Sequence, residues 1–586
     1  MRSLADALFA AEGTRARTAK VSALALALRK VAEQQPALLP FAARLLTGTL
    51  LPASGDRTLG AGGALVFEAT CRATGIAAKE LGDRALRAGD LGTAVGEALA
   101  IAGRDPDEVG LTLAAAEEVA RTLGEQSSRA AKLAALERAL SLATPLEGRY
   151  FVRAVLGEMR VGAKEGIVED AIAKAFDQPL SEVRRASGLV AEIGELALLA
   201  HEGRLFDARI ALGRPIGLML ATPIETARGA DLSAPHAVED KIDGVRAQVH
   251  VGEGAVHLFA RGKGALTAAF PDVAFPLAAA SARGDVSPAI LDGEIVVVDA
   301  DGRPRPFSAL QPRLRKTAPD EELLRESPVA CLVYDLLWHD GASLLDLPFR
   351  ERRARLQRWI ERAPPPVVLH DSRPMASREA IDVEFEEARG RGFEGLVLKR
   401  LDAPYAAGVR GFAWLKVKKA FATLDVVVVA AERGSGKRAD VLSDYTFAVW
   451  NDGKLETIGK AYSGLTDAEI AAMTTRLRAI AAGEERRGRL PVRPEIVFEV
   501  AFDGIQRGGR HTSGFSLRFP RIQRIRDDKR PEEADTIAAV AALWQAQLAS
   551  GHREESNLPK RPRGRRSGRR PDVRAASKQL KLFDDE

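Results

Sequence analysis

The sequence is poor in cysteine, in paired histidines, in long apolar runs and, outside its last residues, in net charge. Its 586 residues include 2 cysteines, Cys71 and Cys331, far apart and each in an apolar context. Two thiols cannot build a four-cysteine zinc module, and they read as buried free cysteines. The 8 histidines show no ligand or triad spacing, which argues against metal or nucleophile chemistry carried by His. No apolar run approaches the roughly 20 residues of a membrane span. The first residues have an apolar look, but Asp6 interrupts them. No cleavage signature comes after them, so they read as a helix start and not as a signal peptide. The expected location is the cytoplasm, with no membrane partner.

Net charge is also scarce where it would be most informative. The formal excess of +5 resides in Gly551–Glu586, with 11 Lys+Arg against 6 Asp+Glu. The rest of the chain is neutral overall. Any grip on nucleic acid must therefore come from local clusters, because phosphate contacts need converging cations and not a global charge.

What is present falls into stretches of different character. Residues 1–205 read as helical: Thr18–Arg29, Asp107–Leu123 and Ala130–Leu142 are rich in Ala, Leu, Glu and Arg, with apolar residues three and four apart. Near Gly213-Arg214-Pro215 the pattern changes. Candidate strands lie at Val245–Val251, Ala289–Val298, Cys331–Trp338, Gly395–Lys399 and Ala413–Lys418, with helices at Phe349–Arg362 and Arg378–Arg389. This predicts a mixed α+β domain over 206–422. A third region, 423–548, opens with Leu424-Asp425-Val426-Val427-Val428-Val429 and later places Ile496, Phe498, Val500 and Phe502 on one strand face. Short strands with one helix, Asp467–Ala482, suit a small β-barrel of the OB-fold kind. Residues 549–586 are polar and rich in Pro, Gly and Arg, a composition expected to stay disordered.

The chemistry-bearing signal is Glu239-Asp240-Lys241-Ile242-Asp243-Gly244-Val245-Arg246. A Lys-x-Asp-Gly match alone is weak, since chance supplies one in about one in ten chains of this size. Its weight comes from an ordered series of further motifs on its C-terminal side. Arg261 is succeeded by Leu291-Asp292-Gly293-Glu294, by Val333-Tyr334-Asp335 and by Glu394-Gly395-Leu396-Val397-Leu398-Lys399. Then come Arg410, Trp414-Leu415-Lys416-Val417-Lys418 and Arg526-Asp527-Asp528-Lys529.

This ordered set, spread over residues 1–545, resembles that of the covalent nucleotidyltransferases, and most closely the three-domain ATP-dependent DNA ligases. The resemblance implies an all-α N-terminal DNA-binding domain, an α+β nucleotidyltransferase domain (ATP-grasp-like adenylation) and an OB-fold β-barrel, ahead of the basic tail. It implies ATP and a divalent cation, Mg²⁺, as cofactors, nicked duplex DNA as partner, a monomeric state and, in a bacterium, association with the nucleoid. Lys241 is then the nucleophile that takes AMP from ATP, passes it to the 5′-phosphate at a nick, and lets the 3′-hydroxyl displace it. Nearby cations (Mg²⁺, Arg246, Lys416 and Lys418) are expected to disfavour the charged amine. Glu294 and Glu394 are the expected metal carboxylates, and Tyr334 the ring that stacks on adenine, with Glu239 at the adenine edge. Arg246, Arg261 and Arg410 are expected on ribose, phosphate or the nick end, and Lys416 and Lys418 on the α-phosphate. Arg526 and Lys529 are expected to orient the leaving pyrophosphate, after which the barrel must turn away so that its other face can clamp DNA. Asp425 lies where that hinge would be, although an ordinary solvated Asp fits as well. The segments Gly148–Arg153 and Leu156–Gly162 look like those that grip the duplex through its minor groove.

Two departures from the family pattern stand out. The segment Gly262-Lys263-Gly264 lacks the Asp that many relatives carry after Arg261, and Tyr334 replaces the commoner phenylalanine. At the end of the chain, Gln579-Leu580-Lys581-Leu582-Phe583 resembles the peptide by which bacterial proteins dock on the sliding clamp. Leu582 and Phe583 would be its apolar anchors and Gln579 its hydrogen-bonding group. The competing readings are an RNA ligase or a capping-type nucleotidyltransferase, which share the lysine motif, an NAD-dependent ligase, and a non-catalytic DNA- or clamp-binding scaffold. The long helical region argues against the first two. The Arg526–Lys529 motif and the lack of a zinc module argue against the third, and the intact set of lysines and glutamates against the last.

Overall fold

A computed structural model describes residues 1–52, 58–105, 110–190, 192–224, 231–252, 254–314, 316, 318–417, 422–434, 438, 440–486, 488–509 and 511–549. Lys418 and the whole tail peptide, Gln579, Leu580, Leu582 and Phe583 included, lie outside the described residues. No helix among the described residues is long and apolar enough to cross a membrane.

The N-terminal region is all helix, from Arg2–Glu12 to Ile193–His201. Side chains set the starts of several of these helices. Asp90 accepts from the backbone N–H groups of Gly92 and Thr93, and Thr144 with Glu147 forms a reciprocal capping box at the helix Pro145–Val155. Of the expected helix Asp107–Leu123, the first residues lie outside the described residues; the helix Leu113–Glu125 is described, and the Thr112 side chain accepts from the Ala115 N–H at its first turn. Helix Pro145–Val155 runs through the core, with Tyr150, Phe151 and Val152 fully buried. This changes the reading of the Gly148–Arg153 segment. Arg153 is 3% exposed and locked to Glu12 (2.9 Å) and Asp90 (2.6 Å). Arg149 and the Tyr150 hydroxyl also bind Glu12. These groups hold helices together and offer a duplex little surface.

The middle region is built on two sheets. Its strands are β1 (Leu220–Ile224), β2 (His236–Lys241), β3 (Val245–Gly252), β4 (Ala255–Ala260), β5 (Ala289–Val297), β6 (Val329–His339), β7 (Ala342–Ser343), β8 (Val367–Leu369), β9 (Arg373–Pro374), β10 (Gly395–Arg400) and β11 (Arg410–Val417). One sheet has the order β1-β11-β10-β2-β9; the other runs β4-β3-β5-β6-β7, with β8 paired to β6. Between them lies a layer that includes Ile242, Ile290, Val296, Tyr334, Tyr405 and Trp414. The chain passes from one sheet to the other between β2 and β3, through the Lys-x-Asp-Gly turn, which therefore sits where the two sheets meet.

The third region holds β12 (Ala422–Arg433), β13 (Leu442–Asn451), β14 (Lys454–Ala461), β15 (Arg489–Pro491), β16 (Val497–Phe502), β17 (Gly504–Arg507), β18 (Phe515–Arg518) and β19 (Arg521–Ile525). The order β14-β13-β12-β16-β19, with β15 on β12 and a β17–β18 hairpin, makes an OB-like barrel. Ile496, Phe498, Val500 and Phe502 all enter one core, as the alternation in the sequence requires. Trp544 of the helix Ile537–Ala549 packs into the same core.

Candidate active site

Alternation along β2 builds one wall of a cleft. Val238 points away and packs with Leu396, Leu398, Leu415 and Val417. Asp240 is clamped by Arg373 (2.9 Å) and Arg391 (2.8 Å). Glu239 and Lys241, of opposite parity, line a cavity of about 410 Å³ between the two sheets. Two glycines let the walls approach. A Cβ on Gly244 would meet Ile295 O at 2.5 Å and Glu294 Cγ at 2.9 Å, and one on Gly395 would meet Val417 O at 2.6 Å. The glycine in each motif is thus required by close backbone packing.

Lys241 ends β2, 20% exposed, with its Nζ ion-paired to the Glu394 carboxylate. Its direct partner is thus a carboxylate; of the cations expected near it, Arg246 and Lys416 line the same cavity, Arg246 with its charge on Asp292, and Lys418 lies outside the described residues. Glu294, on β5, faces the same space. Burial pushes its carboxyl up to about 7, against the pull of Lys241 and Arg246.

Arg246 and Asp292 form a buried support beneath the cavity. The guanidinium donates to both Asp292 oxygens (3.0 and 2.6 Å) and to Met219 O (2.7 Å). Asp292, fully buried, also accepts from the hydroxyls of Tyr334 (3.2 Å) and Tyr405 (2.8 Å). Tyr334 is thereby fixed as one wall of the cavity. Its hydroxyl, the one atom that distinguishes it from the commoner phenylalanine, is used on Asp292.

Lys399 and Glu239 are the second buried pair. Lys399 Nζ lies 2.6 Å from Glu239 Oε2, and 3.9 Å and 4.3 Å from the ring centroids of Tyr334 and Trp414. Burial lowers the Lys399 ammonium, and Glu239 and Asp335 oppose that shift. Glu239 Oε1 and Trp414 Nε1 are buried without a hydrogen-bond partner among the described residues, and both residues line the cavity.

Of the other residues singled out from sequence, Arg261, Arg410 and Lys416 line the same cavity. Arg261 is exposed at the end of β4, and Arg410 donates to Ala221 O at 2.6 Å. Lys416 faces Val397, itself opposite Glu239, so these three form one cross-strand row. Lys418 lies outside the described residues. Arg526 and Lys529 are not brought to the cavity. They bind Asp425 on β12, at 2.8 Å and 2.7 Å. Asp425 is therefore not a solvated residue: it is 13% exposed beneath two cations. The barrel meets the cleft through another residue, Arg518 on β18, 3.3 Å from Asp243 of the Lys-x-Asp-Gly turn.

The sequence reading missed Asp292, Lys399, Trp414 and Tyr405. Asp292 and Trp414 stand two positions from Glu294 and Lys416, so strand alternation carried their signal, whereas Lys399 closes its motif five positions from Glu394 and alternation does not mark it. Tyr405 lies on a loop with no period to mark it. The Gly262-Lys263-Gly264 departure is a tight turn with Lys263 at φ +65°, and Lys263 Nζ donates to Val190 O (2.9 Å) of the helical region.

Among the described residues no group of three or more His, Cys, Asp and Glu is poised to hold a metal ion. Glu294 and Glu394 flank Lys241 as a pair of carboxylates. Such a donor set fits a Mg²⁺ ion that takes its remaining ligands from phosphate oxygens and water, not one held by a protein cage.

Comparison with known proteins agrees with this geometry along the chain. A family model described as "ATP dependent DNA ligase domain" matches residues 218–418. "DNA ligase N terminus" matches 1–173, and "ATP dependent DNA ligase C terminal region" matches 438–529. A probable DNA ligase of Koribacter versatilis (strain Ellin345) is 39% identical over 571 residues, spanning 94% of this chain and 97% of its own length. A DNA ligase of Thermococcus onnurineus (strain NA1) is 35% identical over 558 residues, spanning 93% and 97%. A solved structure named Pmar-Lig_PreS3 superposes with a TM-score of 0.59 at 15% identity, covering 89% of this chain and 99% of that one, a likeness of fold.

Proposed function

The chain belongs to the ATP-dependent DNA ligases, enzymes that seal nicks through a lysine–adenylate, and we propose that Lys241 is the residue that carries the adenylate. The observation that supports this most is the meeting of Lys241, Glu239, Glu294 and Lys416 on the walls of one cavity between two sheets. In this reading the Lys241 amine attacks the α-phosphorus of ATP and pyrophosphate departs. The AMP then passes to the 5′-phosphate of a nick, and attack by the 3′-hydroxyl releases it. Each step is phosphoryl transfer, so the protein's part is positioning and charge neutralisation.

The remaining roles rest on placement. Tyr334, held by Asp292, presents a fixed face for the base, and Glu239 Oε1 an acceptor for its exocyclic amine. Lys416, with Lys418 two residues on, neutralises the α-phosphate, and Arg261 and Arg410 at the rim take ribose, phosphate or the nick end. Arg246 acts through Asp292 as a support. Mg²⁺, held by Glu294 and Glu394 together with the nucleotide phosphates, supplies Lewis-acid neutralisation of developing charge. Glu394 also keeps Lys241 aimed at the cavity.

Arg526 and Lys529 reach the pyrophosphate only if the barrel moves. Their pairing with Asp425 and the Arg518–Asp243 contact suit a barrel position used after adenylation, when the cleft faces DNA. The domain division in this reading is 1–205, 206–422 and 423–548. The tail peptide Gln579–Phe583 recruits the sliding clamp, and loss of clamp binding by Phe583→Ala tests that element on its own.

The decisive experiment is ATP-dependent sealing of a nicked duplex alongside intact-mass detection of AMP on the protein. The wild type takes up one AMP and seals; Lys241→Ala does neither. Adenylation of Lys241→Ala at the wild-type rate would refute the assignment.

A further inference from the structure

The Glu239–Lys399 pair is buried on both sides, as Arg352–Asp335 is, but unlike that pair it lines the cavity. Both side chains are almost fully buried, at 3% and 2% exposed. They come from adjacent antiparallel strands, where Lys399 stands opposite Ala237 and Glu239 opposite Val397, so the pair is diagonal on the cavity face. The ammonium sits against the rings of Tyr334, Trp414 and Phe349, at 3.9, 4.3 and 5.1 Å from their centroids. It ion-pairs with Glu239 Oε2, and both the ammonium nitrogen and Glu239 Oε1 are buried without a hydrogen-bond partner among the described residues, Oε1 at the cavity wall.

A lysine has three donors and no acceptor, and an ionised carboxylate accepts only. Burying one charge without its partner is strongly unfavourable. Lys399, paired with Oε2, therefore fixes which Glu239 oxygen is left at the cavity wall.

We propose that Lys399 is the positioning residue for nucleobase choice: by pairing with Oε2 it holds the Glu239 side chain with Oε1 turned to a purine that bears a 6-amino donor and against one that bears a 6-oxo acceptor. The inference rests on the proposed seat of the adenine beside Glu239. Lys399 need not touch the nucleotide. It acts through Glu239, and its cage of rings keeps the ammonium from reaching elsewhere.

The test is formation of the nucleotidyl-enzyme, monitored by intact mass, with ATP, inosine triphosphate and the triphosphate of unsubstituted purine riboside offered separately. In the unmutated enzyme the order of efficiency is adenine, then unsubstituted purine, then hypoxanthine, because loss of a hydrogen bond is milder than facing two acceptors. Hypoxanthine used as well as unsubstituted purine would overturn the proposal without any variant having to fold. Lys399→Met raises the hypoxanthine-to-adenine efficiency ratio by about tenfold or more, mostly through KM. Lys399→Gln, which keeps a donor but no charge, moves it in the same direction by less. Glu239→Gln also raises the ratio, and adding Lys399→Met to it changes the ratio no further. If Glu239→Gln shifts the ratio and neither Lys399 variant does, the inference fails while the placement of the base stands. If Glu239→Gln leaves the ratio unchanged, the placement of the base fails and the inference with it. A loss equal for all three nucleotides in Lys399→Met marks the lysine as merely structural.

Discussion

Two clusters of buried charge, one among the helices and one in the cleft, look alike in composition and differ in how they are filled. Around Arg153 its own guanidinium nitrogens are all bonded, to Glu12, Asp90, Thr93 and Met159 O, while Arg149 Nε beside it is buried without a partner among the described residues. Burial pushes the Asp90 carboxyl up, but the Arg153 and Thr93 hydrogen bonds outweigh it and bring it down to about 2. In the cleft, by contrast, Glu239 Oε1 and Trp414 Nε1 have no partner among the described residues, and burial holds the Glu294 carboxyl near 7. A filled network fastens elements together. An unfilled one around a cavity is poised for a ligand that completes it, because buried polar atoms are costly until they are paired.

The sharpest way to break this contrast is to open the filled cluster. Arg153→Met strands Glu12 and Asp90 and should destabilise the helical region by about 3–5 kcal/mol, read as an early transition in denaturant unfolding. The rate of self-adenylation per folded molecule should stay close to that of the wild type. A variant that unfolds normally yet adenylates poorly would place Arg153 in the chemistry and erase the distinction.

The next effect is on the dependence of stability on pH. The Glu294 carboxyl is raised in the folded state from an ordinary 4.5 to about 7. The folded protein therefore holds more protons than the unfolded chain between those values, and stability falls as pH rises through that window. Glu294→Gln removes this contribution, so its stability relative to the wild type should improve between about pH 4.5 and 7 and level off above. Thermal unfolding across that range, without nucleotide or metal, checks it. Parallel profiles for the two proteins would mean that the cleft carboxyl is not held out of its ordinary range.

The smallest expected effect sharpens the comparison with a third cluster. Asp425 with Arg526 and Lys529 is filled like the first but lies in the barrel and is less deeply buried, with Arg526 and Lys529 16% and 25% exposed, so its ion pairs contribute less stability. Asp425→Asn should leave unfolding nearly unchanged and shift the balance of steps. Freed cations favour the barrel position for self-adenylation, so that half-reaction should speed up a few-fold relative to sealing of a pre-adenylated nick. Single-turnover rates for the two half-reactions measure the ratio, and an unchanged ratio would leave Asp425 a simple structural partner.

The sequence by itself determined the helical character of the first part, the strand character of the next two, and the motif residues that meet at the cleft. Those properties are local. Helix period, strand alternation and the residue types of a motif are set by neighbours a few positions apart. Lys241, Glu294, Glu394 and Lys416 were legible for that reason. Only the tertiary structure decided who faces whom. It paired Lys241 with the Glu394 carboxylate, tied Arg149 and Arg153 to Glu12, took Arg526 and Lys529 to Asp425, and set Lys399 behind Glu239. Each of these joins residues from about 100 to 160 positions apart along the chain. Local pattern carries no record of such pairings, because an ion pair depends on distance in space, and distance in space is fixed by how sheets and helices pack.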